Sequence, residues 1–380
     1  MRKPLSLYIH IPFCNSKCAY CNFVSKVGTH NEKTRYTANL IEEIRIRAKE
    51  FNPRYEISTI YIGGGTPSCL DPKAISLILN EIYNRFTVRN QAEITIEANP
   101  ESVTREKAEI YASRGVNRVS MGLQCVDNSI LELMNRKHTV ADFENAVKIF
   151  KSVGITNISA DIILGYPNQK VEYVERTINK LISLDIPHIS AYMLQIEEGT
   201  ALANSVSGKK LIVPTEKETI LMYKKAVDKL TAAGYIRYEV SNFAKIGFRS
   251  KHNQTYWDRG EYLGLGVSAH SFVDGVRFAN YESIEKYTEC IERGKLPVES
   301  FDKVAKEDAK EEYIMLKLRL GDGMDLVEYK KLFNEDFVTS HKNKIEELIK
   351  LKLIKLADDH ICATDAGFLV LNRIILEFVS

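Results

Sequence analysis

Three cysteines carry the densest chemistry in the chain. In Phe13-Cys14-Asn15-Ser16-Lys17-Cys18-Ala19-Tyr20-Cys21-Asn22-Phe23 the thiols are separated by three and then two residues. Cysteine is 7 of 380 residues, so two more at fixed offsets from a given one arise by chance roughly 3 times in 10⁴. Structural zinc usually takes four ligands in two paired clusters. No second pair is present, and His10 and His30 do not stand at a standard zinc spacing. Three clustered thiolates suit an iron–sulfur cluster with one iron left open, which a substrate or cofactor can chelate. The bland alternative is three buried thiols on a loop. Cys69, Cys125, Cys290 and Cys362 are scattered and read as core or incidental thiols.

The thiol loop follows a β-rich run at 5–11, the first of six, the others being 58–62, 93–98, 118–122, 157–164 and 188–194. Helical patterns with apolar residues three and four apart lie between them, at 33–50, 72–85, 105–113, 142–153 and 171–184. Strand-then-helix repetition predicts parallel strands joined by right-handed crossovers, and six units predict a partial barrel with ligands at the C-terminal strand ends. Beyond 194 the pattern predicts a helix at 215–233, strands at 235–240 and 264–272, and a helix at 281–294. Helices at about 306–319, 325–334 and 341–352, a β-turn near 355–362 and a helix at 364–378 resemble a winged helix. The expected fold is therefore α/β, a partial (β/α)6 barrel with a mostly α, winged-helix-like C-terminal domain. The expected units are 1–195, 196–300 with the barrel extension, and 301–380.

With Tyr20 before its last cysteine, the Cys14-x3-Cys18-x2-Cys21 loop resembles the signature of the radical S-adenosylmethionine (SAM) enzymes. The resemblance implies a [4Fe–4S] cluster whose open iron binds the amino and carboxylate groups of SAM, with one electron cleaving SAM to a 5′-deoxyadenosyl radical. Gly63-Gly64-Gly65-Thr66, at the end of the second strand, lets backbone approach a ligand closely. It resembles the family's glycine-rich motif, which implies SAM contacts for Gly64, Gly65 and Thr66. Later strand ends carry Glu97, Gln124, Asp161 and, shortly after the fourth, Arg136. Singly each reads as a cap or surface residue. Together they suit a zwitterionic nucleoside, a carboxylate holding ribose hydroxyls and the guanidinium the methionyl carboxylate.

Leu7-Tyr8-Ile9-His10-Ile11-Pro12-Phe13-Cys14 narrows the resemblance to the HemN/HemW branch and implies that Tyr8 neighbours SAM. The coproporphyrinogen III dehydrogenases of that branch carry a further cysteine where this chain has Phe23, and a long N-terminal extension where 13 residues precede Cys14. Both differences argue against decarboxylation of coproporphyrinogen. His252-Asn253-Gln254-Thr255-Tyr256-Trp257 matches the HNxxYW motif of the heme-chaperone side of the branch. A neutral imidazole can ligate heme iron, which makes His252 the candidate heme ligand; the alternative is that the hexapeptide only shapes the barrel rim. The resemblance thus implies [4Fe–4S], SAM and heme as cofactors, and assigns no catalytic residue. Its partners are heme, heme-accepting proteins such as respiratory enzymes, an electron donor and a second copy in a homodimer. The second reading is an active radical SAM enzyme acting on a porphyrin or heme ring.

Composition agrees with a globular protein and adds exclusions. Lys+Arg 52 against Asp+Glu 50 gives a net charge of +2, so no global field for nucleic acid or anionic membrane exists. The N-terminal apolar run is broken by His10 and Pro12 and is no signal peptide, and no apolar stretch is long enough for a bilayer. A cytoplasmic location is expected, where disulfides are rare.

Overall fold

The computed structural model describes residues 2–379. Six strands, β1 (Lys3–Ile11), β2 (Tyr55–Gly64), β3 (Val88–Ala98), β4 (Arg118–Gln124), β5 (Asn157–Leu164) and β6 (His188–Met193), lie side by side in chain order. All their pairings are parallel. Helices His30–Phe51, Pro72–Arg85, Arg105–Ser113, Val140–Ser152 and Val171–Ser183 form the crossovers. This is the expected partial barrel. Reciprocal caps start two of these helices: Thr29 with Glu32 and Thr139 with Asp142 satisfy otherwise orphaned N–H groups.

Parallel strands covered on both faces normally read as continuous apolar runs. Here they alternate. Leu5, Leu7, Ile9 and Ile11 of β1, Ile60 and Ile62 of β2, Ile94 and Ile96 of β3, and Val119 and Met121 of β4 pack under the helices with Leu40, Ile78 and Phe150. Burying each such side chain contributes about 1.5–3 kcal/mol. The alternate positions are polar and also buried: Ser6, Thr59, Thr95, Arg118, Ser120, Ser159, His188 and Ser190. Register sets Thr95, Arg118 and Asn157 abreast, with Glu97 and Ser120 abreast two residues nearer the C-terminal ends. The barrel interior is therefore a polar column opening at the strand C-termini.

The sheet continues past both ends of the six. Tyr262–Leu265 joins β1 in parallel, followed by antiparallel His270–Val273, Val276–Asn280 and Val298–Lys303. Antiparallel Asn242–Ala244 and Ile236–Arg237 extend β6. The single strand expected at 264–272 is thus two, because Gly266 (φ 100°) and Ser268 (φ 58°) take left-handed conformations and turn the chain. A Cβ on Gly266 would lie 2.7 Å from the His10 carbonyl oxygen, so the turn closes directly against β1.

Helices Lys306–Lys317, Leu326–Phe333 and Lys342–Lys350 pack on a three-stranded sheet of Met324–Asp325, His360–Ala363 and Ile354–Ala357. Their own core holds Ile314, Tyr329, Phe337, Ile361, Phe368 and Phe378. The helix expected over 364–378 is two, Asp365–Leu369 and Leu371–Val379, with Val370 between them. Ion pairs Arg249–Asp322 at 2.7 Å, Arg237–Asp365 at 2.6 Å and Lys317–Asp258 at 2.7 Å tie this unit to the barrel. Among the described residues, no helix is long and apolar enough to cross a membrane.

Candidate functional site

A two-residue parallel pairing closes the cysteine loop at its base, Phe13 against Lys26 and Cys14 against Val27. Its far side is pinned by the segment after β4. The Ala19 N–H donates to the Met134 carbonyl at 3.0 Å, and the Asn135 side-chain amide donates to the Lys17 carbonyl at 2.8 Å. The loop therefore hangs across the mouth of the barrel. Polar donors already meet two of its sulfurs: the Thr66 hydroxyl donates to Cys14 Sγ at 3.4 Å and Arg136 Nη1 to Cys18 Sγ at 3.4 Å. Burial pushes the Cys21 thiol up. Among the described residues no group of three His, Cys, Asp or Glu side chains converges as a single metal ion requires. A cubane cluster takes one thiolate per iron, so three thiols on one loop suit it and leave one iron open.

The glycine run lies under the loop. Gly65 N–H donates to the Ile11 carbonyl and Thr66 N–H to the Phe13 carbonyl, both at 2.8 Å. A Cβ on Gly65 would stand 2.7 Å from the Phe13 carbonyl oxygen, and one on Gly64 (φ 108°) would meet the His10 ring at 2.6 Å. A side chain at Gly65 would displace the backbone leading into the cysteine loop, and one at Gly64 would displace the His10 ring.

The remaining strand ends point into the same space. Glu97 accepts from Tyr61 Oη at 2.7 Å and from the Gly64 N–H at 3.2 Å. It is enclosed by protein except where the cavity reaches it. Burial pushes its carboxyl up to about 7 with the Asp161 charge adding to the effect, against the Tyr61 hydrogen bond. Burial also raises Asp161, which accepts from Ser120 Oγ at 3.4 Å. Arg136 Nη2 donates to Asn99 Oδ1 and to the Gly122 carbonyl, both at 3.0 Å, fixing the guanidinium plane. Gln124 adopts a left-handed backbone (φ 64°), uncommon for a residue with a side chain, and its buried Oε1 has no partner.

Cys14, Cys18, Cys21, Tyr20, Gly64, Gly65, Thr66, Glu97, Gln124, Arg136 and Asp161 all line one cavity of about 560 Å³. Sequence reasoning does not single out other members of the lining, notably Asn99, Ser120, Tyr192 and Met193. Asn99 sits in the Glu97-Ala98-Asn99-Pro100 strand end, and Ser120 in the polar phase of β4, so both left a signal in the pattern. Tyr192, Met193 and Phe23 are exposed at the cavity rim.

Tyr8 and His252 stand apart from this lining. Tyr8 sits one layer down, stacked on Tyr61 at 6.2 Å with its hydroxyl 3.1 Å from His10 Nδ1. His252 is buried still deeper, in the helix Lys251–Trp257. Its Nδ1 meets Thr59 Oγ1 at 2.7 Å and its Nε2 meets Tyr256 Oη at 2.9 Å. Burial lowers its pKa to about 3, with Arg118 adding to the effect. Both ring nitrogens are engaged within the protein, so in this structure His252 offers no lone pair to heme iron. The Glu93 carboxylate accepts from the Lys251 and His252 N–H groups, at 3.1 and 3.0 Å, and caps the helix. Of the hexapeptide only His252 is buried in the barrel; Asn253 to Trp257 stay partly exposed.

The barrel, the thiol loop at its mouth and the carboxylates beneath define a radical SAM protein, and the Radical SAM superfamily profile matches residues 8–181. The HemN C-terminal domain profile matches 304–370. The chain is 34% identical over 379 residues to the heme chaperone HemW of Lactococcus lactis subsp. lactis (strain IL1403), covering 100% of this chain and 98% of that one. It is 31% identical over 386 residues to the heme chaperone HemW of Escherichia coli (strain K12), covering 99% and 98%. The chain belongs to the HemW family of radical SAM proteins. The solved structure of coproporphyrinogen III oxidase (HemN) from Escherichia coli superposes with a TM-score of 0.88 at 22% identity, over 100% of this chain and 91% of that one, which shows the shared fold. Superfamily membership implies a [4Fe–4S] cluster and SAM. The three thiols, the unpartnered Gln124 Oε1 and the cavity they line together fit both groups.

Proposed function

We propose that this chain is a heme chaperone that holds a [4Fe–4S] cluster and SAM at the barrel mouth, receives heme at the rim, and passes it to heme-requiring proteins. The convergence of three thiols, two carboxylates and a guanidinium on one cavity carries the cofactor part of this reading. Full-length relatives named as heme chaperones support the rest. Cys14, Cys18 and Cys21 would hold the cluster. When bound, it would supply an open iron for SAM and one-electron reduction. Arg136, its plane set by Asn99 and Gly122, pairs with the methionyl carboxylate, and Glu97 or Asp161 accepts from the ribose hydroxyls. Gln124 Oε1, otherwise unsatisfied, accepts from the ligand. Gly64 and Gly65 present their backbone to it along the cavity wall.

Heme needs a flat apolar landing and a reversible iron ligand. Phe23, Tyr192 and Met193 supply the first at the rim, and the Met193 thioether is a heme ligand of known type. Residues 301–380 act as the surface that meets the acceptor, and the chain works where thiols stay reduced. The test uses anaerobically reconstituted protein. It should bind heme, transfer it to a heme-free acceptor enzyme, and form no protoporphyrinogen from coproporphyrinogen III with reductant and SAM. Protoporphyrinogen formation would replace the chaperone reading with the dehydrogenase one.

A further inference from the structure

One motif is left without a task. His252-Asn253-Gln254-Thr255-Tyr256-Trp257 carries the imidazole expected to ligate heme, yet both of its ring nitrogens are engaged inside the barrel. What those contacts hold can be followed upward, rung by rung. Thr59 of β2 and Glu93 of β3 stand abreast in register. Thr59 Oγ1 meets His252 Nδ1 at 2.7 Å, and the Glu93 carboxylate accepts from the His252 N–H at 3.0 Å. One rung thus fixes the residue by side chain and main chain together. Tyr256 Oη, 2.9 Å from Nε2, closes the other edge of the ring. A ring held at both edges on a pinned backbone presents its face at a set angle.

That face meets Tyr61, two residues on from Thr59 and on the same side of β2. The Tyr61 and His252 rings are stacked, with centroids 5.0 Å apart and planes 28° from parallel. Tyr8 of β1 flanks Tyr61 at 6.2 Å. The Tyr61 hydroxyl then donates to Glu97 Oε1 at 2.7 Å. Gly63, two residues further along β2, leaves room for that bond: a Cβ there would stand 2.8 Å from the Tyr61 ring and 3.0 Å from the Glu97 carboxyl. Tilting a phenol about its Cα–Cβ bond swings the hydroxyl away, so the bond to Glu97 requires the ring to be held.

We propose that His252 is a positioning residue of the cavity: stacked against Tyr61, it holds the phenol whose hydroxyl aims the Glu97 carboxylate at the ligand. The motif then serves the SAM site from below. This rests on the reading of that cavity as the SAM site. Tyr61 takes Glu97 Oε1 and the Gly64 N–H takes Oε2 at 3.2 Å, which fixes the carboxylate plane and leaves a lone pair on each oxygen for ribose hydroxyls. A carboxylate fixed before the ligand arrives loses little rotamer freedom on binding.

The direct test uses the cofactor-free full chain and the infrared carboxyl band that Glu97→Gln removes, recorded below the Glu97 midpoint of about 7, where the group is protonated. Tyr61→Phe deletes the donated bond and should move the band to higher wavenumber. His252→Gln keeps a polar group for Thr59 but offers Tyr61 no ring face, and should move the band the same way. In the double variant the band should stay where Tyr61→Phe alone puts it. An unmoved band in folded His252→Gln, or a further shift in the double variant, overturns the proposal. Should His252→Gln fail to fold, Tyr256→Phe, which frees Nε2, takes its place with the same expected shift and the same overturning result. Calorimetry with SAM on anaerobically reconstituted protein tests the underlying reading separately. Each single variant should bind about tenfold more weakly, and the double variant no weaker than Tyr61→Phe, since both changes act through one contact. A wild type that binds no SAM overturns the reading of the cavity, while the infrared band still decides what His252 does. A heme Soret band that shifts in His252→Gln, with the Glu97 band unmoved, assigns His252 to heme and overturns the proposal.

Discussion

Replacing Glu97 by Gln should stabilise the cofactor-free protein while weakening its hold on SAM. The carboxyl sits in a floor where burial and the Asp161 charge raise its pKa to about 7, against an ordinary value of 4.5. A raised acid pKa means the folded chain binds the proton more tightly than the unfolded one. Stability is then greatest below the unfolded value and falls as pH rises through the window from about 4.5 to about 7. The full difference corresponds to about 3 kcal/mol. Water in the cavity screens part of it, so about 1–2 kcal/mol is the expected gain for Glu97→Gln above neutrality. Gln keeps an acceptor for the Tyr61 hydroxyl, which limits the offsetting loss. Denaturant titrations of both proteins at a series of pH values check this. The variant's advantage should be near zero at acid pH and grow through the window. SAM affinity should meanwhile fall by about 10- to 150-fold, the worth of a charge-assisted hydrogen bond. An advantage independent of pH, or none, would show that Glu97 is not held charged against its environment.

Further variants test other parts of the site. Gln124→Gly should raise stability by about 1 kcal/mol in denaturant unfolding, because glycine takes the left-handed backbone freely, and should lower SAM affinity through the lost Oε1. Arg136→Lys keeps the charge but cannot bridge Asn99, Gly122 and Cys18 at once; calorimetry should show SAM binding weakened at least about tenfold. His252→Ala should cost about 2–4 kcal/mol in unfolding and leave the heme Soret band in place, since both ring nitrogens serve the barrel. The folded His252 pKa, about 3, lies below the unfolded value. The stability that neutral His252 supplies is therefore present above about 6.5 and is lost as pH falls toward 3; pH-resolved melts of wild type and His252→Gln should separate over that interval.

The cofactor loop was legible because its information is local: three thiols within eight residues need no tertiary knowledge to be seen together. Glu97, Gln124, Arg136 and Asp161 were legible because strands ending at one level bring strand-end residues to one mouth. The strand alternation, Leu-Ser-Leu-Tyr-Ile-His-Ile in β1 and Ile-Thr-Ile-Glu-Ala in β3, also stands in the sequence and marks a polar interior. Two features were not legible. The 264–272 run hides its turn because Gly266 and Ser268 lie among apolar neighbours, and only contact with β1 explains the bend. His252 sits in a motif whose letters do not say which way the helix faces. Glu93, 159 residues earlier in the chain, caps that helix and turns the imidazole into the barrel. Long-range capping of this kind leaves no local periodicity.

At the centre of the proposed function is one cavity, formed by Cys14, Cys18, Cys21 and the strand-end residues, that holds a cluster with SAM on its open iron. Electron paramagnetic resonance on the anaerobically reconstituted, reduced protein, recorded before and after addition of SAM, tests it most directly. The expected result is about four irons and four sulfides per chain, a reduced-cluster signal that SAM shifts in the wild type, and the same signal left unshifted in Glu97→Ala/Asp161→Ala. Stoichiometric zinc with no cluster signal, or a cluster whose spectrum SAM does not alter in the wild type, would contradict it.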